Sequence, residues 1–380
     1  VKTDGEAKMK LVVEQTHLIK ALGRVQRIVE RRNTIPILNN VYLSAEAGAL
    51  TIKGTDLDLE MVETIAATIH SNGTTTVSAH LLHDIVRKMA DGSTVELETD
   101  SNETKMTMRA GRSEFSLQTL DGEEFPSISE DDFSHSFEIP ATDMAKILGK
   151  TQFAISLEET RYYLNGIYFH KSDKDGEDVL RGVATDGHRL ALMDVNIPSG
   201  AEDIPGVIIP RKAVQELQKL LEEADDNIAI DMSQAKMRFT IKSAVMTTKL
   251  IDGTFPDYQR VIPYDNDHML ELPREVFARA VDRVATISPD RGRAVKLAIE
   301  ANKLTLSVVN PESGSATDEL EVSYPAEPIT IGFNAKYLLD IATQLDCENA
   351  EFYFSNPTAP TLVKDPDNPT AIFVLMPMRV

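Results

Sequence analysis

The sequence predicts an α+β protein of three repeated domains, each an antiparallel sheet with two helices packed on it. Three observations predict it. A short apolar strand leads into an amphipathic helix at three places, a second strand-then-helix follows each, and strands of alternating polarity fill the intervals. The 380 residues divide into units of about 125, the usual size of one domain.

The first pattern reads LVVEQTHLIKALGRVQRIV (11–29), FEIPATDMAKILGKTQFAI (137–155) and LELPREVFARAVDRVATIS (270–288). Aligned on the strand, Leu18, Ile19 and Leu22 match Met144, Ala145 and Leu148 at helical spacing. The second pattern reads TVSAHLLHDIVRKM (76–89), IIPRKAVQELQKLL (208–221) and IGFNAKYLLDIATQL (331–345). Between them GALTIKG, KMTMRAG and KMRFTIKS alternate as half-buried strands do. Shorter echoes hold the register: ILNNVYL (37–43) returns as YLNGIYF (163–169), GTDL as ATDG, and LDGEEFP (120–126) as IDGTFP (251–256). Polar stretches EDDFSHS and PYDNDH mark the joints, so domains are expected at 9–133, 134–264 and 265–380. Residues 1–8, VKTDGEAK, read as an N-terminal extension, native or left over from cloning, because the fold signals begin near Met9.

Composition narrows the class. Hydrophobic residues at 42% and charged residues at 26% indicate a globular chain. No run approaches the ~18 apolar residues of a membrane helix, and the N-terminal stretch lacks a signal peptide's apolar core. Cys347 is the one cysteine and cannot close an internal disulfide, which points to a reducing cytoplasm. A net charge of −21, taken alone, argues against nucleic acid. Net charge averages over faces, however, and the basic residues are not spread evenly.

In the first helix Lys20, Arg24, Arg27 and Arg31 fall at i, i+4, i+7 and i+11, one stripe if the helix runs through them. The corresponding helices carry Lys146 and Lys150, then Arg279 and Arg283, at i, i+4. The other three add Arg87 and Lys88, then Arg211, Lys212 and Lys219, and Lys336. For one helix a solvated charged face explains this; recurrence in all three repeats favours a surface that tracks a phosphate backbone without reading sequence. Acidic runs at 130–132, 175–178 and 222–226 fall in loops or at a helix end.

ATDGHRLAL (184–192) looks most like an active site, yet His188 has no nucleophile nearby in sequence and Asp186 is poorly placed to orient it. The first repeat keeps Thr55-Asp56 but lacks Gly-His-Arg, so the Thr-Asp pair reads as structural and Gly187-His188-Arg189 as functional. Asp56, Asp58 and Glu60 suggest a two-metal nuclease, but TDLDLEM alternates at period two and puts them on the wet face of a strand. SDKDGED (172–178) lacks calcium-loop spacing and reads as a hairpin tip, and His80 with His83 has no third ligand. No phosphate loop or dinucleotide fingerprint is present, so no metal, cofactor or catalysis is expected.

Taken together, ATDGHRLA, RYYLNG (161–166), FPDY (255–258), IPRK (209–212), GFN (332–334) and MPMR (376–379) make the chain resemble the bacterial DNA polymerase III beta subunits, the replicative sliding clamps. The resemblance runs from Met9 to Val380. It implies three DNA-clamp domains per subunit and a closed ring of two subunits, head to tail, around duplex DNA, acting as a processivity factor. Domains that each turn the chain by about 60° sweep a half circle, as a two-subunit ring requires. Twelve helices about 10 Å across leave a bore of roughly 28 Å, room for a duplex and a water layer. Weak, salt-sensitive phosphate contacts then permit sliding.

The resemblance also implies a pocket for short peptides of partner proteins: the clamp loader, replicative and other DNA polymerases, and repair proteins. Its walls would be Leu164, Thr185, Gly187, His188, Arg189 and Leu190, with Pro256, Val261, Val374, Met376, Pro377 and Met378. Arg161, Tyr163, Asn334, Tyr337 and Arg379 would form the rim or an adjoining subsite. Loop contacts to DNA would come from Arg32, Tyr162 and Lys212, and the seam between subunits from Phe115 and Leu117 against Thr286 and Ile287. Residues 374–380, VLMPMRV, read independently as a terminal edge strand in the core, which does not exclude a groove wall. Two rivals are a metal-dependent nuclease and a repeat scaffold with no DNA role. The expected setting is the bacterial cytoplasm, at the nucleoid during replication.

Overall fold

The computed structural model describes residues 9–100, 102, 104–128, 133–288 and 294–379. The N-terminal octapeptide, the acidic run at 130–132 and Val380 lie outside them. Among the described residues six α-helices form, two per repeat: α1 (Gln15–Val25), α2 (Ala79–Val86), α3 (Ala141–Thr151), α4 (Arg211–Leu221), α5 (Arg274–Ala285) and α6 (Ala335–Ala342). Every strand-then-helix expected from the pattern is present. SDKDGED is the expected hairpin tip, with Asp175 and Gly176 in left-handed backbone between the Gly166–Lys174 and Glu177–Thr185 strands.

The chain packs as two compact units that cut across the repeats. One runs to Ala141 and resumes over Lys219–Leu250; the other comprises Thr142–Gln218 and continues from Ile251. In the first unit thirteen strands follow one another in a single hydrogen-bonded order. The Leu59–Ala66 strand of the first repeat pairs antiparallel with Ala244–Lys249 of the second, Met61 opposite Met246. In the second unit an eight-stranded sheet is joined the same way: Arg189–Asn196 pairs with Ala371–Leu375, Leu190 opposite Val374. A four-stranded sheet completes that unit, with Gly314–Glu321 on its edge. The terminal strand is therefore not an edge strand as expected. Ala371–Leu375 is paired on both sides, with Arg189–Met193 and with Thr361–Lys364.

Helix α1 buries Leu18, Ala21, Leu22 and Val25, the i, i+3, i+4, i+7 face. It lies on the Ala49–Thr55 and Leu59–Ala66 strands. Gly54 permits that approach, since a Cβ there would stand 2.7 Å from Val25 Cγ1. Gly182 serves the same purpose under Ile147. The helix ends at Val25, which corrects the expected basic stripe: Arg27 lies in the following turn, and Arg31 and Arg32 sit exposed in bends beyond it.

Arg24 is a second correction. It is only 8% exposed, with Nη1 2.5 Å from Glu63 Oε1 and Nη2 2.6 Å from Glu223 Oε2. The Arg24 hydrogen bond, with help from Lys20, depresses the Glu223 carboxyl to about 2. Glu63 is 1% exposed and also accepts from Ser243 Oγ at 3.0 Å. Breaking such a pair strands a buried charge. Replacing Arg24 with Ala is expected to cost the first unit about 3–5 kcal/mol, read as a lowered urea midpoint. A loss below about 1 kcal/mol would mean the pair is dispensable.

Candidate functional site

The ATDGHRLAL segment is a turn between two strands, and its Thr and Asp build it. Asp186 Oδ1 accepts from His188 N at 2.9 Å and Arg189 N at 3.0 Å. Thr185 Oγ1 donates to Arg189 O at 2.7 Å and accepts from Gly187 N at 3.1 Å. Gly187 takes φ +86, where a side chain is strained. The first repeat makes the same turn with Thr55 and Asp56, the latter accepting from Asp58 N at 3.0 Å and Leu59 N at 2.7 Å. The structural reading of the Thr-Asp pair is thus correct. Asp56 and Asp58 lie in this turn and Glu60 is 3% exposed, so the three carboxylates do not share a wet strand face.

Strand pairing carries the turn to the C-terminus. Met376 N donates to His188 O at 2.9 Å, one step beyond the Arg189–Leu375 pair. Met378 N donates to Gly332 O at 2.7 Å and ties down the last residues. A cavity of about 320 Å³ opens at this junction. Its walls are Leu164, Thr185, Gly187, Arg189, Leu190, Pro256, Val261, Val374 and Met376, with Arg161 and Tyr163 beside them. Eleven of the residues expected from the resemblance meet here. Asp257 and Tyr258 also line it and were missed, although FPDY was in view as a motif.

His188 and Tyr337 face a neighbouring concavity of about 600 Å³ with Glu158, Arg211 and Lys336, their rings 6.2 Å apart. Asn334, Pro377, Met378 and Arg379 are not on the wall of the smaller cavity: Asn334 caps α6, accepting from Lys336 N at 2.9 Å, and Arg379 is exposed. Arg189 lies between the two hollows and lines both. Only 7% exposed, it donates to Asp186 Oδ2 at 3.1 Å, Asp340 Oδ2 at 2.5 Å and Phe153 O at 2.7 Å, with Tyr337's ring 4.4 Å from Cζ. Burial would lift the Asp340 carboxyl, but bonds from Lys336 and Arg189 outweigh it and hold it below the usual range. Arg161 is set by Glu158, which accepts from it at 2.6 and 2.7 Å.

A buried polar network supports the floor. Tyr258 is 5% exposed, its hydroxyl 3.0 Å from His170 Nε2 and accepting from Arg181 Nη1 at 3.2 Å. Arg181 is paired at 2.6 Å with Asp194. Because Nδ1 of His170 faces Lys171 O at 2.6 Å, the neutral ring donates there and accepts from Tyr258 at Nε2. Burial and Arg181 push the His170 imidazole down to about 4, although the Lys171 carbonyl opposes them.

The expected cationic residues are mostly accessible but largely answered by carboxylates. Lys20 pairs with Glu223 at 2.9 Å, Arg87 with Asp84 at 3.4 Å and Lys146 with Asp143 at 3.2 Å. Arg279 pairs with Glu275 at 3.0 Å and Arg283 with Asp318 at 2.6 Å. Lys88, Arg211, Lys219 and Tyr162 are exposed and Lys212 is half-buried. Lys150 departs from the expected exposed face, its ammonium held by the Gln344 carbonyl and, at 2.7 Å, by Asp346. At the expected seam Phe115 and Ile287 are half-buried and Thr286 is exposed. Leu117 is 5% exposed within its own sheet, leaving Phe115 the accessible apolar side chain of that pair.

Among the described residues no three His, Cys, Asp or Glu side chains gather as a metal site would require, and no helix is long and apolar enough to cross a membrane. Repeated sheet-and-helix domains with a peptide-sized apolar hollow define a clamp-like fold. Models of the DNA polymerase III beta subunit match consecutively: N-terminal domain over residues 9–129, central domain over 138–257 and C-terminal domain over 259–379. The Caulobacter vibrioides beta sliding clamp is 50% identical over 372 residues, covering 98% of this chain and 100% of that protein. The Escherichia coli K12 beta sliding clamp is 36% identical over 375 residues with the same coverage. A crystal structure of a Bartonella birtlesii DnaN sliding clamp bound to griselimycin superposes with a TM-score of 0.95 at 53% identity, covering 98% of this chain and 100% of that one. The chain belongs to the DNA polymerase III beta subunit family, the beta sliding clamps, which are processivity factors without catalytic activity.

The His170 shift gives a pH prediction. The folded ring binds its proton less readily than the unfolded one, so stability rises with pH between about 4 and 6.5. Acidification through that window is expected to remove about 3 kcal/mol through this group. Urea midpoints at the two ends should therefore converge in a His170→Gln variant; an unchanged pH slope would contradict the assignment.

Proposed function

We propose that this chain is half of a two-subunit ring that encircles duplex DNA without regard to sequence and tethers the replicative polymerase. The clamp loader, other DNA polymerases and repair proteins dock by the same route. The observation that carries the reading is the apolar cavity at the junction of the TDGHRL turn and the terminal strand, on a chain of the clamp family. Peptide side chains enter between Leu164, Leu190, Val374 and Met376, with Arg161 and Tyr163 at the mouth. The adjoining hollow at His188 and Tyr337 serves as a second subsite. Met376, exposed at 38%, has the adaptable thioether that suits varied guests. Two side-chain anchors contribute roughly 3–6 kcal/mol, against association costs of at least ~4 kcal/mol. So small a surplus makes docking weak, and clients exchange.

The domains fall at 9–133, 134–264 and 265–380. Exposed cations on and after the helices meet the DNA: Lys20, Arg31, Arg32, Arg87, Lys88, Lys146, Arg211, Lys219, Arg279 and Arg283, with the half-buried Arg27 and Lys212 and with Tyr162. Subunits join edge to edge. Ser113–Gln118 is unpaired on the side away from Lys105–Ala110, and Gly314–Glu321 is the free edge of its sheet. Phe115, Thr286 and Ile287 cover that seam. The ring works in the bacterial cytoplasm, at the nucleoid during replication.

Two outcomes follow. Loaded clamp should stay on closed circular DNA and leave after linearisation; equal retention on both would favour ordinary binding over encirclement. Deleting 376–380 should abolish binding of client peptides while leaving a folded dimer, checked by anisotropy and solution mass. Unchanged peptide affinity would show that the pocket lies elsewhere.

A further inference from the structure

The first unit holds a cavity of about 550 Å³ that the function above leaves unused. It is built from the same parts as the C-terminal one. Lys249 N donates to Asp58 O at 2.8 Å, as Met376 N does to His188 O at 2.9 Å. Thr248 faces Leu59 as Leu375 faces Arg189, and Thr247 faces Glu60 as Val374 faces Leu190. Thr55, Leu57, Pro126 and Lys249 therefore take the places of Thr185, Gly187, Pro256 and Met376, and all four line the cavity.

The differences change its chemistry. Lysine replaces the thioether; Lys236 also lines the cavity, but it is 9% exposed and its ammonium lies 5.0 Å from the Phe133 ring. Leu57 replaces glycine yet keeps the left-handed backbone, φ 80, and stands 39% exposed. A leucine held there is strained, and the turn presents its apolar side chain at the hollow. Pro126, Ile128 and Ala235 extend the apolar wall. Glu60, below the turn, accepts from Ser127 Oγ and Ile128 N, both at 3.2 Å, so its charge is directed into the fold. Lys249 is held 3.2 Å from Asp58, but these side chains are 55% and 81% exposed, a pair that a ligand carboxylate can displace at little cost.

We propose that this cavity is a second peptide site, selecting an extended segment with an aliphatic side chain next to a carboxylate. The aliphatic group packs on Leu57, Pro126 and Ile128 while the carboxylate meets Lys249. The site widens the set of partners to acidic segments that place a carboxylate where the C-terminal cavity presents the Met376 thioether.

The test uses the full chain and a dye-labelled tetrapeptide, Leu-Asp-Leu-Glu, beside its uncharged counterpart Leu-Asn-Leu-Gln, followed by anisotropy. The acidic probe should bind saturably and at least about fivefold more tightly than the neutral one, the worth of one charge-assisted contact. Lys249→Ala, at an exposed position, should weaken it by a similar factor. Leu57→Gly, which relieves the backbone, should weaken it by removing the apolar wall. Deleting 376–380 should leave it unchanged, which separates this site from the pocket proposed above. Absent saturation, equal affinity for both probes, indifference to Lys249→Ala, or loss of binding in the truncated chain would each overturn the proposal.

Discussion

The antiparallel pairing of Arg189–Met193 with Ala371–Leu375 is the constraint on which the candidate site depends. Side chains alternate across a sheet, so a one-residue slip of the terminal strand would turn Val374 away from the cavity that Leu190 lines. The register is fixed from two sides. The Asp186 and Thr185 hydrogen bonds set where the turn ends, and Thr361–Lys364 holds the terminal strand from its other edge. Cavity-lining residues from two repeats are thereby mounted on one sheet, with the Arg181–Asp194–Tyr258–His170 network under the floor.

In the proposed ring, electrostatics lets so acidic a chain hold DNA loosely. The helical cations are mostly paired with their own carboxylates, Lys20 with Glu223 and Arg283 with Asp318 among them. Exposed pairs of this kind contribute little, so a phosphate can replace the carboxylate with a small net change. That balance suits a molecule that slides, since each contact is weak, salt-sensitive and independent of base sequence. Arg24 and Lys150 show the other use of a cation, tying elements together within a unit.

Much of the fold was legible because it was written three times. Helical spacing at Leu18, Leu22 and their counterparts located the helices, and the TD echo marked the Thr-Asp pair as structural, although TDLDLEM read as a strand where Asp56 and Asp58 make a turn. What remained hidden was long-range. Arg24 lies 199 residues from Glu223 in sequence, and nothing local distinguishes a cation that pairs from one that points to solvent. Helix α1 ends at Val25 without a glycine or proline stop, so the basic stripe ran past the real terminus. Strand pairing between repeats leaves no mark in either strand, which is why the joints read as linkers. Of the pocket, the motif residues were legible through family resemblance; Tyr258 was missed because its role rests on partners at His170 and Arg181, far away in sequence.

The central claim is that the turn and the terminal strand together form the client site. Amide hydrogen exchange of the full chain, with and without a saturating client-derived peptide, tests it most directly. The account predicts slowed exchange at 185–190 and 374–376. Peptide bound with no protection in either segment, or with protection confined to other strands, would contradict it.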